Sequence, residues 1–315
     1  VSEPNLNMAS PHLDSGIKLE SAMRDIMLAL VPVTLTSIYF YGAQAIFLIL
    51  VSITSSVLTE IVAKKLKSEQ ITIQDGSAVL IGLFIGLLLS PFSSVWRAVF
   101  ASVIAIGIAK ELVGGLGWNY FNPALFGYVI TLILARFFPF LASSDIKITS
   151  VDGISQATPL TMIQTQMDPP AIWELLLAYP GGALSETSAL AVILGGVYLI
   201  YQKHINWRIP VSILATSFLL VLPFDVNPVY FILSGGLIMG AFFMATDWVT
   251  SPVNNKGMII YGIGIGVLIV MFRMLLPPTG GVALAILIMN VLVPQIENVT
   301  KHPSLAEPKF DKFPG

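Results

Sequence analysis

The sequence predicts an all-α polytopic membrane protein with about ten transmembrane helices, and three observations predict it. The 315 residues are 55% hydrophobic and 11% charged, with a mean hydropathy of +0.83, whereas soluble domains carry roughly 25% charged residues. Apolar runs of about 17 to 25 residues, enough to cross a hydrocarbon core, recur along the chain. A single polar island, 140–185, separates two such apolar regions. A transmembrane barrel would instead alternate polarity over segments of about ten residues.

Taken in order, the segment 1–22 is polar and contains Asp14, Lys18 and Glu20, which is unlike a secretory signal peptide. Five apolar spans follow at 23–40, 43–62, 77–90, 95–112 and 122–140, forming a first unit over 23–140. The loop 141–185 comes next. A second unit over 186–294 holds spans at 186–202, 208–223, 228–247, 257–275 and 280–294, and 295–315 is a polar tail. The third and tenth spans are short for a full crossing, as bundle helices can be when protein surrounds their ends.

The two units read as distant repeats. Ser90-Pro91 closes the third span and Ser251-Pro252 follows the eighth. In each half an apolar span comes next, followed by a Gly/Pro-rich lead-in to the last one: Gly114 to Pro123, and Pro277-Pro278-Thr279-Gly280-Gly281. An odd number of spans per repeat inverts the second copy, and paired helix breaks point to a site at the repeat interface. The plainer reading is that Gly and Pro are common in membrane helices.

Basic residues orient the chain. With the N-terminus in the cytoplasm, 12 of the 16 Lys and Arg residues fall inside, and Arg97, Arg136, Lys147 and Arg273 fall outside. That asymmetry fits the positive-inside rule. Both termini are then cytoplasmic and the 141–185 loop faces outward. The net charge of −2 argues against a nucleic-acid partner. The chain has no cysteine and its three histidines are scattered, which excludes Cys-ligated clusters within it. A redox role would therefore need an organic cofactor.

Within the polar loop, Asp152, Gly153, Ser155, Thr158 and Pro159 make an accessible turn. Thr158 is a poor nucleophile at its free pKa but a suitable phosphoester acceptor if another enzyme does the chemistry. On composition alone, the segment is an ordinary polar turn. Asp247, with Thr246 beside it and Thr250 one turn on, ends the eighth span, and an ionisable group there suggests a cofactor or ion role. Glu186 opens the sixth span, where a capping carboxylate serves equally well. Glu60 and Glu111, near Lys64 and Lys110, read as interfacial anchors. The glycines around Gly115, followed by Asn122 and Pro123, could leave backbone groups free for a ligand beside Trp118, Tyr120 and Phe121. Close helix packing is the ordinary reading of those glycines.

Asp152-Gly-Ile-Ser-Gln-Ala-Thr158 resembles the flavinylation motif, Asp followed by Ser-Gly-Ala-Thr, of one family of membrane proteins. That family holds the D-type subunit of the Rnf ion-translocating electron-transport complex and the B-type subunit of the sodium-translocating NADH:quinone reductase. Further similar segments are Ser10-Pro11-His12, Asp75-Gly76-Ser77-Ala78, and the stretches 114–127, 182–196 and 240–252. Gln156 stands where Gly is usual, and Thr279 where the family tends to have Glu. The short polar start is closer to the Rnf member of the family.

The resemblance implies FMN esterified through its phosphate to Thr158 by a flavin transferase, with Asp152 and Ser155 as recognition features. A second, non-covalent flavin, riboflavin or FMN, is expected between the repeats, near Gly115, Asn122, Thr246 and Asp247. The resemblance also implies a urea-transporter-like fold of two inverted five-helix repeats. The implied role is that of one component of an inner-membrane redox complex carrying electrons from ferredoxin to NAD while sodium ions or protons cross. Three rival readings remain open: the quinone-reductase counterpart, a non-redox channel or permease for a small polar solute, and a scaffold for redox partners.

Overall fold

A computed structural model describes residues 19–70, 73–141, 170–179, 181–275 and 280–300. Among these, every regular element is helical. Helices α1 (Leu19–Tyr41) and α2 (Ala43–Leu66) form a hairpin, followed by the short α3 (Ser77–Leu88). Helix α4 (Val95–Val103) widens without a break into a π-helix, Ile104–Leu112, and α5 (Pro123–Leu134) follows. The short α6 (Ile172–Leu177) leads to α7 (Ala189–Tyr201) and α8 (Arg208–Val221). The eighth apolar stretch is broken: α9 (Pro228–Leu233) stops, and α10 (Leu237–Met239) restarts and widens into a π-turn, Gly240–Met244. Helices α11 (Asn255–Leu275) and α12 (Gly281–Thr300) complete the described chain.

Four helices, α1, α2, α11 and α12, are long and apolar enough to cross a membrane by themselves. The others are shorter, and protein surrounds the third. Most of α3 is buried, so its end groups meet polar partners rather than lipid. The tenth apolar stretch was expected to be short, but α12 runs through Pro294 to Thr300. The fifth was expected to reach 140, but its helix ends at Leu134.

The core is one continuous apolar cluster drawn from both halves. Without a hydrophobic drive between helices in lipid, close packing depends on small residues. Glycines do this in both halves. A Cβ at Gly82 of α3 would lie 2.6 Å from the Ile53 Cα of α2, and one at Gly266 of α11 would lie 2.7 Å from the Thr216 Cβ of α8. Two helices begin with the same local device. Asn122 caps α5 by accepting from the Leu125 N–H, and Asn227 caps α9 by accepting from Val229 N–H. In each, the following proline sits in the first turn, where its missing N–H is no loss.

Asp152, Ser155 and Thr158, and most of the 141–185 loop, lie outside the described residues, as do the termini and Thr279.

Candidate functional site

A small cavity, open at its mouth, is lined mainly by the first half and closed by Asp247 and Val249 of the second. Its apolar wall includes Met23 of α1 and Leu80, Ile81 and Phe84 of α3. Its polar groups are Ser77, Lys110, Asn119, Asn122 and Asp247. A mostly apolar cleft with a few convergent polar groups is the usual form of a small-molecule site.

The π-helix explains how Lys110 reaches this cavity. Both Lys110 and its neighbour Glu111 are about 1% exposed, which an α-helix with one buried face does not favour for adjacent charged residues. The wider i→i+5 winding shifts the register within one turn. Gly115 closes it: its N–H donates to the Lys110 carbonyl at 2.9 Å, with φ at +93°, a conformation glycine adopts without strain.

The Lys110 ammonium donates to Glu60 Oε1 at 2.8 Å and to Ser77 Oγ at 2.7 Å. The Ser77 hydroxyl donates in turn to Asp75 Oδ1 at 2.6 Å. Glu111 is approached by Lys64 at 3.4 Å, Lys67 at 3.7 Å and Lys110 at 4.0 Å. Glu60 and Glu111, expected to be interfacial anchors, are instead buried (0% and 1% exposed) because α2 and the π-helix pack their charged ends together. Beyond the end of α2, Glu69 lies 2.7 Å from the Lys64 ammonium, which holds its carboxyl below the usual carboxylate range.

The opposite wall is stitched by two asparagines. Asn122 N–H donates to Asn290 Oδ1, and the Asn122 side chain donates to the Met244 carbonyl, both at 3.2 Å. Asn290 donates to the Thr250 carbonyl at 3.0 Å and to the Tyr261 hydroxyl at 2.8 Å. Asp247 accepts from the Thr250 hydroxyl at 2.9 Å. Asn119 donates to Phe121 O at 3.1 Å, while its side-chain oxygen is buried without a hydrogen-bond partner. A buried acceptor without a donor is costly, and a ligand N–H in the cavity would satisfy it.

Of the residues proposed from sequence, Asn122 and Asp247 therefore meet at one cavity. Gly115 shapes the turn behind it, beside Lys64, without lining it. Thr246 does not line it either: its hydroxyl is spent on Phe242 O at 2.6 Å. Trp118 and Tyr120 are 73% and 72% exposed rather than flanking the cleft, and Phe84 supplies the aromatic wall instead. Lys110, Ser77, Asn119 and Asn290 were not singled out from sequence as site residues.

A second charged cluster involves Glu186. This residue does not cap α7; Ser188 does, accepting from Ala191 N–H at 3.2 Å. Glu186 packs against Gly182 and Gly236, where added Cβ atoms would lie 2.5 and 3.4 Å from its carboxylate oxygens. Arg273 is near enough to act on it electrostatically, without a direct ion pair. Arg273 also donates to the carbonyls of Phe231, Ser234 and Gly235 at 2.6, 2.8 and 2.9 Å, which closes the broken end of α9.

These features define a multi-pass helical membrane protein with a polar-floored cavity between its two halves. The sequence model of the NQR2, RnfD, RnfE family matches residues 6–305, and the chain belongs to that family. It is 37% identical, over 99% of both chains, to the D-type subunit of the Na(+)-translocating ferredoxin:NAD(+) oxidoreductase complex of Acetobacterium woodii. It is 36% identical, over 93% of both chains, to the D-type subunit of the proton-translocating ferredoxin:NAD(+) oxidoreductase complex of Clostridium ljungdahlii. The D-type subunit of the ion-translocating oxidoreductase complex of Stutzerimonas stutzeri is 35% identical over 90% of this chain and 91% of its own.

Proposed function

We propose that this chain is the D-type membrane subunit of an ion-translocating ferredoxin:NAD oxidoreductase complex. The observation that carries this reading is the near end-to-end similarity to subunits of that name. The partners are the other subunits of the complex, a flavin transferase, membrane lipid, and a sodium ion or proton. The relatives are named for both ions, so the similarity leaves the choice between them open.

Within that role the chain carries FMN on Thr158. The support is the spacing of Asp152, Ser155, Ala157 and Thr158 together with the absence of cysteine. The interhalf cavity holds a second, non-covalent flavin, riboflavin or FMN. Its apolar wall at Phe84 and the orphaned Asn119 oxygen suit the edge of a flat ring that carries an N–H. Bound flavin supplies reversible one- and two-electron transfer. The chain's own residues orient and enclose it: Asn119 accepts, Asn122 and Asn290 hold the two walls together, and Leu80, Ile81 and Phe84 exclude water.

The same reading has two inverted five-helix repeats in a urea-transporter-like arrangement. It is supported by the Ser-Pro pairs after the third and eighth spans, Ser90-Pro91 and Ser251-Pro252, and by the Gly/Pro-rich entry to the last span of each half. Both termini are cytoplasmic and the Thr158 loop is outside, by the 12-to-4 division of Lys and Arg.

The test is fluorescence of the denatured chain, expressed with the flavin transferase. Wild type should fluoresce in the gel and Thr158→Ala should not. Single substitutions outside packed or specially constrained positions change stability little, so the variant should still be recovered in normal yield. An unmodified Thr158 peptide from the wild-type chain would overturn the covalent-flavin assignment.

A further inference from the structure

We infer that Lys110, held by Glu60 and Ser77, sets the reduction potential of the ring bound in the interhalf cavity; this rests on the second-flavin reading above. The ammonium lines the cavity and is 1% exposed. Two of its three N–H groups are taken, at 2.8 Å by Glu60 and 2.7 Å by Ser77. Glu111, at 4.0 Å, lies beyond hydrogen-bond reach. The third N–H is therefore available to a ligand that enters the cavity. Glu60 does not line the cavity, so the positive member of the pair is the one the ligand meets.

The physical consequence has a fixed sign. An electron delivered by the complex's donor, reduced ferredoxin in the activity proposed above, adds one negative charge to the ring when no proton follows it. A buried ammonium beside the ring favours that charge far more than an exposed one would, because little water screens it. Lys110 thus binds the reduced ring more tightly than the oxidised ring and raises its potential. Glu60 is a positioning residue with the opposite effect: its carboxylate neutralises part of the Lys110 field. Ser77 passes a hydrogen bond on to Asp75, fixing the ammonium against α3.

The pairing also explains why a lysine stands here at all. A buried ion pair is seldom worth its desolvation as a stabilising contact alone. Lysine, a compact point charge with rotatable donors, suits a site where one donor must be kept for a ligand.

The test uses the full chain in detergent with Thr158→Ala, so that only non-covalent flavin contributes. That flavin is titrated with dithionite and followed by its absorbance. Lys110→Met should weaken binding of the reduced ring relative to the oxidised ring about tenfold, a drop of about 59 mV for one electron. Glu60→Gln should move the potential upward. The double variant Lys110→Met/Glu60→Gln leaves neither charge unpaired, so it keeps the fold if a single variant does not. Its potential should lie between those of Lys110→Met and wild type. A merely structural role would not produce shifts of opposite sign. Bound flavin whose potential stays within experimental error in the double variant and in the folded single variants overturns the inference alone. If the Thr158→Ala chain holds no releasable flavin, the second-flavin reading falls, and this inference falls with it.

Discussion

Each half of the molecule contributes a buried cation, and the two are used differently. Lys110 in the first half makes two side-chain hydrogen bonds and faces a cavity. Arg273 in the second half makes three bonds to backbone carbonyls and lies over the Phe231 ring at 4.7 Å. A planar guanidinium with five donors can close a broken helix, because the carbonyls freed at Ser234 and Gly235 have no intrahelical partner. An ammonium with three donors cannot satisfy as many groups, but it can reserve one. The difference teaches that burial of charge in a membrane protein does not by itself mark a functional site. The geometry of its donors separates a staple from a ligand-facing group.

The comparison breaks most visibly at Arg273. Arg273→Met removes donors from three carbonyls. Hydrogen bonds to a charged group contribute about 1.5–3 kcal/mol each, so losing three should remove most of the chain's thermal stability in detergent. Its yield in membranes should fall as well. A melting temperature equal to wild type would show that Arg273 is not the staple described here.

A smaller loss is expected where the two halves are stitched beside the cavity. Asn290→Leu deprives the Asn122 N–H, the Thr250 carbonyl and the Tyr261 hydroxyl of their partner. Each buried group left unpaired costs roughly 1–3 kcal/mol, less what relaxation or water recovers. The loss should be seen as a lower melting temperature together with weaker retention of non-covalent flavin. Normal stability with normal flavin content would contradict the stitching role.

Much of this is legible in the sequence, for identifiable reasons. Composition and apolar run length predict helices, because membrane crossing constrains both. Asn122 and Asp247 are legible because Asn-Pro marks a helix start and an acid at the end of an apolar run is rare. Lys110 reads as an inner-face charge, since spacing arguments assume 3.6 residues per turn and a π-helix shifts the buried face. Asn290 sits in the middle of an apolar stretch with no neighbouring signal, and only its partners from two other segments reveal it. Arg273 counts as an outer charge in the sequence, although it is 3% exposed. The break at Gly235 and Gly236 that gives it its role depends on backbone conformation, with φ of +66° at both.

The account's central claim is that the chain holds two flavins, one on Thr158 and one in the interhalf cavity beside Lys110. The most direct measurement is flavin quantitation on the full chain purified in detergent after expression with the transferase, split into released and retained fractions on denaturation. The account predicts about one flavin retained and one released per wild-type chain, with Thr158→Ala losing the retained fraction and keeping the released one. A chain that releases none would contradict the cavity assignment. A chain that also retains none would contradict the flavin-carrying function itself.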